Sequence, residues 1–105
     1  MIQRQKLPTV AFILKKGKRY ESPFFTVWRF RRDTGALRSF VVCSRKVDKR
    51  AVRRNTIKRR VREILRKDFS KSYSANDIVV RIKPGITDIS SKKLKSAILY
   101  VLPLS

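Results

Sequence analysis

The sequence predicts a single α+β domain in which helices pack on one sheet. Its 105 residues suit one hydrophobic core, because a second domain would have too little apolar surface to fold. Segments whose apolar residues recur at helical spacing alternate with short apolar runs that are typical of strands. No linker, low-complexity tract or internal repeat interrupts residues 1–105, so we expect one domain built from packed layers.

The first half of the chain predicts a helix followed by a β-hairpin. Apolar residues fall at helical spacing over Pro8–Lys16, and Gly17 follows where a helix commonly ends. Aromatic and branched residues alternate over Phe24–Phe30, which predicts a strand. The turn at residues 33–35 leads to a second strand, Phe40–Cys43. Because the connection is short and contains Gly, we expect the two strands to pair antiparallel.

The second half predicts a long helix, a buried strand and a final helix. The helix Lys49–Phe69 has apolar residues on one face and Lys and Arg over the rest. Asp77–Lys83 is apolar enough for a strand covered on both sides, and the Pro84-Gly85 pair ends it. The last helix ends at Leu102 and begins after the capping candidates Ser90 and Ser91. General rules would make a helical crossover into the buried strand right-handed.

Composition indicates a polyanionic partner. The chain carries 28 Lys and Arg against 7 Asp and Glu, a formal charge of +21, while 42% of its residues are hydrophobic. A folded domain with this charge is typical of nucleic-acid binding. The longest apolar runs, 10–14 and 97–102, are far below the roughly 20 residues that span a bilayer. With no secretory signal visible at residues 1–6, we expect a cytoplasmic protein that binds no membrane.

The residues usual in catalytic and metal sites are scarce. The chain has no His and one cysteine, Cys43, so neither a disulfide nor a Cys/His zinc site can form, and Cys43 is expected in the core of a strand. The seven acids are scattered along the chain, and hydrolysis of a phosphodiester normally needs clustered carboxylates or His. We therefore expect no catalytic residue and no metal site in the protein itself.

Basic residues are densest between positions 45 and 67, where twelve Lys and Arg stand against Asp48 and Glu63. On a helix, the residues of the face opposite the apolar stripe are Asn55, Arg59, Arg62 and Arg66, with Arg54 and Lys58 on its flank. Guanidinium and ammonium groups in such rows suit phosphates. The plainer interpretation, a solvated helix face that keeps the protein soluble, is disfavoured by the shortage of compensating acids.

Three stretches of this block carry a specific motif. They are Ser44-Arg45-Lys46, then after seven residues Arg54-Asn55-Thr56-Ile57-Lys58-Arg59, then Arg62-Glu63. Their order and spacing resemble the signature of the ribonuclease P protein family, which has Arg or Lys where this chain has Thr56, so no RNA contact is assigned to Thr56. With its neighbours, the motif gives the residues expected to bind the catalytic RNA: Arg45, Lys46, Arg50, Arg54, Asn55, Lys58, Arg59, Arg62 and Arg66.

The resemblance also implies a fold and a function. The family fold is an αβββαβα-like sandwich with a mixed sheet and a left-handed βαβ crossover, which overrides the right-handed expectation. The family's RNA subunit cuts precursor tRNA with Mg²⁺, while the protein subunit binds that RNA and the 5′ leader and so assists endonucleolytic maturation of the tRNA 5′ end. No cofactor is expected on the protein alone.

A cleft for the single-stranded leader is expected on the open face of the sheet. Phe24, Trp28 and Phe30 would cover the other face against the helices, which leaves Phe25 and Val27 exposed. Single strands bind aromatic platforms beside positive charge. We therefore expect Phe25 and Val27, with Phe12 from the first helix, to line the leader cleft.

Two alternatives remain open on the sequence. A ribosomal or other structural RNA-binding protein would share the charge, size and mixed fold but would have no leader cleft. A DNA-binding module would read bases from the long helix with Asn55 and Arg59. Since neither a paired recognition helix nor a dimer seam is visible, we expect RNA and not DNA as the partner.

Overall fold

The computed structural model describes residues 9–86 and 90–103, which form three α-helices and four β-strands. They are α1 (Val10–Lys16), β1 (Lys18–Glu21), β2 (Phe25–Arg31), β3 (Arg38–Val42), α2 (Ala51–Ile64), β4 (Asn76–Ile82) and α3 (Ser91–Val101). A π-helical turn, Leu65–Phe69, extends α2. The predicted α+β class and αβββαβα order are thus confirmed for the described residues.

The four strands form one mixed sheet in the order β1-β2-β4-β3. β2 pairs antiparallel with β1 and with β4, whereas β3 pairs parallel with β4. The predicted hairpin between β2 and β3 is therefore wrong, because β4 lies between them. β4 is buried on both faces except at Arg81, so a central position removes the most apolar surface from water.

Strand β1 is required by the αβββαβα order of the family but was not predicted from the pattern of residues. Its residues, Lys18–Glu21, are mostly charged and largely exposed, and they lack the apolar alternation of a half-buried strand. As an edge strand it pairs only with β2, from Lys18 opposite Arg29 to Glu21 opposite Thr26. Charged side chains are a common feature of sheet edges, because they discourage further strand pairing.

Helices cover the two faces of the sheet unequally. The larger cluster joins one face to α2 and α3, and its members include Phe25, Val27, Ile78, Val80, Ile57, Val61, Leu65 and Ile98. A smaller cluster joins the other face to α1 through Ile13, Trp28 and Val79. We call this second surface the α1-side face. Within β2, alternation correctly separated Trp28 and Phe30 from Phe25 and Val27 but assigned the two faces the wrong way round, because both are apolar. Phe24, predicted on the face of Trp28, precedes the strand and packs against the larger cluster.

Local sequence signals explain where the outer helices begin and end. The Thr9 hydroxyl accepts a hydrogen bond from the Phe12 N–H (3.2 Å), and the predicted cap Ser90 accepts one from the Lys93 N–H (3.3 Å).

Pro8, the predicted first residue of α1, lies outside the described residues. Gly17 follows α1 as predicted, yet its φ of −71° is accessible to any residue. A side chain at Gly17 would approach the Arg29 carbonyl oxygen to 3.0 Å, so glycine permits close packing on β2.

Candidate nucleic-acid interface

The loop before α2 is held by the Asp48 carboxylate. Asp48 accepts hydrogen bonds from the backbone N–H of Arg50 (2.9 Å) and from its guanidinium (3.1 Å), and Arg53 lies 3.7 Å away. The hydrogen bonds from Arg50 keep the pKa of Asp48 below its usual value. The Asp48 side chain is only 7% exposed, while that of Arg50 is 66% exposed. One buried acid therefore fixes the loop and leaves basic groups facing outward.

Arg54 has a structural role that the sequence did not predict. Its Nη1 donates to the carbonyl oxygens of Asp48 (3.0 Å) and Lys49 (2.9 Å), which ties the loop to the first turn of α2. Arg54 and Lys58 are both half-buried, and their charges face Cys43. Burial nevertheless raises the pKa of the Cys43 thiol. Cys43 is partly buried against the main core, but it follows β3, which ends at Val42, so its predicted place on the strand is wrong.

The remaining residues of the basic block are presented to solvent. The exposed ones among those predicted to bind RNA are Arg45, Lys46, Arg50, Asn55, Arg59, Arg62 and Arg66. Ile57, Val61 and Ile64 are buried on the opposite side of α2, which gives the helix the predicted division into two faces. Within residues 9–86 and 90–103, no ion pair occupies Arg59, Arg62 or Arg66. Their guanidinium groups are available to external phosphates.

The α1-side face combines aromatic rings with guanidinium groups. Trp28 lies beside Arg19 on β1, and the guanidinium carbons of Arg19 and Arg81 are 5.6 Å and 5.2 Å from its ring centroid. On β3, the Arg38 guanidinium lies 5.0 Å from the ring of Phe40. Cations at these distances are attracted to the faces of aromatic rings. Positive charge and flat apolar surface therefore alternate across four strands.

Exposed apolar side chains border this face. Phe12 of α1 is 42% exposed and meets Phe30 edge to face at 5.1 Å, and Val42 of β3 is 43% exposed. Val42 lies in register with Arg81 on β4, and Arg81 with Thr26 on β2. Arg81 and Val42 of this row are exposed, whereas Thr26 is 0% exposed, so the row is open only on β4 and β3, and we call this part the open strip.

The expected cleft residues thus separate in the structure. Phe12 lies on the α1-side face, but Phe25 and Val27 are 0% exposed in the main core, so their prediction as an open platform is wrong. The sequence missed the groups that face the open strip, above all Arg81. As the single charged residue within 78–82, Arg81 could have identified the open face of the sheet.

Four of the six acidic side chains in residues 9–86 and 90–103 hold basic ones, and Asp48 is one of them. Asp77 is fully buried between Arg32 and Arg38, and Asp68 lies 3.3 Å from Lys95. Glu21 binds Lys83 at 2.6 Å and also contacts Arg19. Hydrogen bonds from Lys83 and then Arg19 lower the pKa of Glu21 to about 2.

Residues 9–86 and 90–103 include neither a metal-binding cluster nor a membrane-spanning helix. They contain no group of three or more His, Cys, Asp or Glu side chains suited to hold a metal ion. No helix in residues 9–86 or 90–103 is both long and apolar enough to cross a membrane.

Similarity to known proteins agrees with the motif and with the fold. A family model described as Ribonuclease P matches residues 8–103. The protein named Ribonuclease P protein component from Finegoldia magna is 35% identical over 89 residues, covering 85% of this chain and 77% of that protein. The solved structure of the RNase P protein from Thermotoga maritima has a TM-score of 0.80 at 27% identity, covering 94% and 96% of the two chains. That from Staphylococcus aureus has a TM-score of 0.75 at 28% identity, covering 91% and 90%.

Proposed function

Because this chain belongs to the ribonuclease P protein family, we propose that it is the protein subunit of ribonuclease P and assists tRNA 5′ maturation in the cytoplasm. In this proposal, α2 and the loop before it bind the catalytic RNA. The α1-side face binds the 5′ leader of precursor tRNA. The two surfaces involve different structural elements, so one protein can contact the ribozyme and its substrate together.

The exposed guanidinium row on α2 carries the proposal. Arg59 and Arg62 project from α2 and Arg66 from the π-helical turn that extends it, and none of the three forms an ion pair in the described part of the chain. Guanidinium groups donate in a planar fork that matches phosphate oxygens, and releasing counterions from RNA makes such contacts favourable. A helix fixes the spacing of these donors, which suits a folded RNA more than a flexible chain. The Asp48-centred loop presents Arg50 beside the same helix.

The leader assignment rests on the open strip of the α1-side face. Single-stranded nucleic acid binds where bases stack on aromatic rings next to cations that contact the backbone. Val42 offers exposed apolar surface there and Arg81 offers the cation, with the partly exposed ring of Phe40 two residues before Val42 on β3. Phe12 adds an exposed ring against Phe30, toward the other end of β2. Stacking tolerates any base, which suits leaders of varied sequence.

Catalysis is assigned to the RNA subunit with its Mg²⁺, and no cofactor to the protein alone. A metal-dependent phosphodiesterase holds its ions with clustered, accessible carboxylates. Here Asp48, Asp77 and Glu21 each hold Arg or Lys side chains within the fold. The acids therefore support the shape of a binding protein.

Reconstitution tests the proposal as a whole. Adding the purified protein to a bacterial ribonuclease P RNA at physiological magnesium should restore cleavage of precursor tRNA at the mature 5′ end. A ribosomal or other structural RNA-binding protein should not restore it. Cleavage by the protein without RNA, or failure to restore cleavage with RNA, would refute the assignment.

Two variants separate the two surfaces. Arg62→Ala should weaken binding of the catalytic RNA by about 1 to 3 kcal/mol and reduce its salt dependence. Arg81→Ala should leave that affinity unchanged but reduce the preference of the holoenzyme for precursor over mature tRNA. Lys92→Ala, an exposed site at the start of α3, is the matched control for loss of one charge. Equal effects of all three variants on both RNAs would show that only net charge matters.

A further inference from the structure

A groove of about 310 Å³ lies between the sheet edge and the basic face of α2. Leu37, which precedes β3, and Ser39 of β3 line one side, and Ser70 also lines the groove. Arg59, Arg62 and Glu63 line it from α2, and Arg66 from the π-helical turn that follows. Its volume is at the lower end for small-ligand pockets, which is the scale of a single nucleotide.

The arginines of this groove favour an anionic ligand. Arg59, Arg62 and Arg66 all border it, and none of them is in an ion pair among the described residues. Three cations around a space of this size attract a phosphate more strongly than the same charges on a flat surface, because the walls limit solvent screening. Arg66 lies in a π-helical turn, a feature often found at functional sites.

Glu63 is the unexpected member of the groove. A surface that binds only phosphates gains nothing from a carboxylate, which repels them. Glu63 is exposed and forms no ion pair with any side chain of the described chain, so it does not serve to hold a neighbouring cation as Asp48 does. An ionised carboxylate only accepts hydrogen bonds, so its complement is a ligand with N–H donors.

Among the four RNA bases, guanine complements this combination. Its Watson–Crick edge presents two adjacent donors, N1–H and the N2 amino group, which match the two oxygens of one carboxylate. Adenine and cytosine offer one amino group beside an acceptor nitrogen, and uracil offers one N–H between two carbonyls. Leu37 supplies apolar contact for the base, and arginines supply contact for its phosphate. Proteins commonly read RNA at such unstacked bases.

We propose that this groove binds one unpaired guanine nucleotide of the catalytic RNA, with Glu63 accepting from the guanine edge and the arginines binding its phosphate. The inference rests on the proposed binding of that RNA by α2. It adds a base-specific contact to a surface otherwise suited to the sugar-phosphate backbone.

Neutralising Glu63 gives opposite results under the two interpretations. If Glu63 only moderates the positive charge, Glu63→Gln should bind the RNA more tightly, as should the control Asp33→Asn, an exposed acid outside the groove. If Glu63 binds guanine, Glu63→Gln should bind roughly 10-fold more weakly, since an amide presents a donor to one of the two N–H groups. Affinities are measured by filter binding of full-length protein to a bacterial ribonuclease P RNA. Equal or tighter binding by Glu63→Gln overturns the inference.

Chemical probing gives a second measurement on the same complexes. Kethoxal modifies the N1 and N2 positions of unpaired guanines. One guanine should be protected by the wild-type protein and by Asp33→Asn but should react in the Glu63→Gln complex. An identical modification pattern in all three complexes overturns the inference while leaving RNA binding intact. If the wild-type protein does not bind the RNA, the proposed function itself fails.

Discussion

Asp77 supports the end of the sheet where β2, β4 and β3 meet. It is paired with Phe30 on β2 and with Arg38 on β3 in the strand register. Its Oδ1 accepts a hydrogen bond from Arg32 Nε at 3.0 Å and lies 3.4 Å from Arg38 Nε. Arg32 also donates to the carbonyl oxygens of Thr34 (3.0 Å) and Ala36. One carboxylate thus orders the β2–β3 loop and the end of the sheet next to that loop.

Asp77→Asn should destabilise the fold substantially. Removing one partner of a buried ion pair costs about 3 to 5 kcal/mol, because the remaining charge is left without compensation. Here the Asp77 side chain is 0% exposed, but those of Arg32 and Arg38 are 11% and 26% exposed, so water partly solvates them. The asparagine oxygen can also keep one hydrogen bond. We therefore expect a loss of about 2 to 3 kcal/mol in the free energy of unfolding.

Urea denaturation followed by Trp28 fluorescence measures this loss. With an m-value of about 1 to 3 kcal/mol/M, the midpoint should fall by roughly 0.7 to 3 M. Asp33→Asn, in the same loop and exposed, removes the same charge without the buried contacts and should change the midpoint little. A loss below about 0.5 kcal/mol in Asp77→Asn, the range of ordinary surface substitutions, would refute this account of the ion pair.

Three further variants test individual contacts. Glu21→Gln should destabilise the protein at neutral pH, because the pKa of Glu21 is lowered from 4.5 to about 2 by Lys83 and Arg19. Between the two pKa values the native state binds fewer protons than the unfolded state. The stability advantage of the wild type over Glu21→Gln should therefore vanish as the pH falls from about 5 to 2, as measured by urea titrations. Ala75→Gly should raise the unfolding free energy by about 0.5 to 1 kcal/mol, since Ala75 has a φ of 61°. Gly17→Ala should lower it by about 1 to 3 kcal/mol, because the new Cβ would lie 2.6 Å from a carbonyl oxygen of α1.

A different result would contradict each of these three predictions. A difference between wild type and Glu21→Gln that does not change with pH would show that the carboxylate contributes nothing through its ionisation. Loss of stability in Ala75→Gly would mean that the alanine methyl group matters more than its left-handed backbone. Unchanged stability in Gly17→Ala would show that α1 can move away from β2 without cost.

Periodicity and charge in the sequence predicted the helices, the central strand and the exposed basic face of α2. The apolar stripe of α2 required Ile57 and Val61 to face the sheet, which left Arg59 and Arg62 outward whatever the tertiary arrangement. Capping at Ser90 was similarly local, because the hydroxyl bonds to an N–H three residues away. These features depend on contacts within one element and can be read from the order of its residues.

The tertiary structure alone decided strand order, the open face of the sheet and the functions of individual charges. Insertion of β4 between β2 and β3 depends on burying an apolar strand on both sides, which neighbouring turns do not specify. Phe25 and Val27 were placed on the wrong face because alternation separates two faces without saying which receives more helices. Arg54 and Asp77 bond to groups within the fold. Arg62 and Glu63 carry the same kinds of charge but are exposed. The sequence therefore determined that this protein carries a helix with one exposed basic face, and long-range packing determined which side chains hold the fold and which remain available to a ligand.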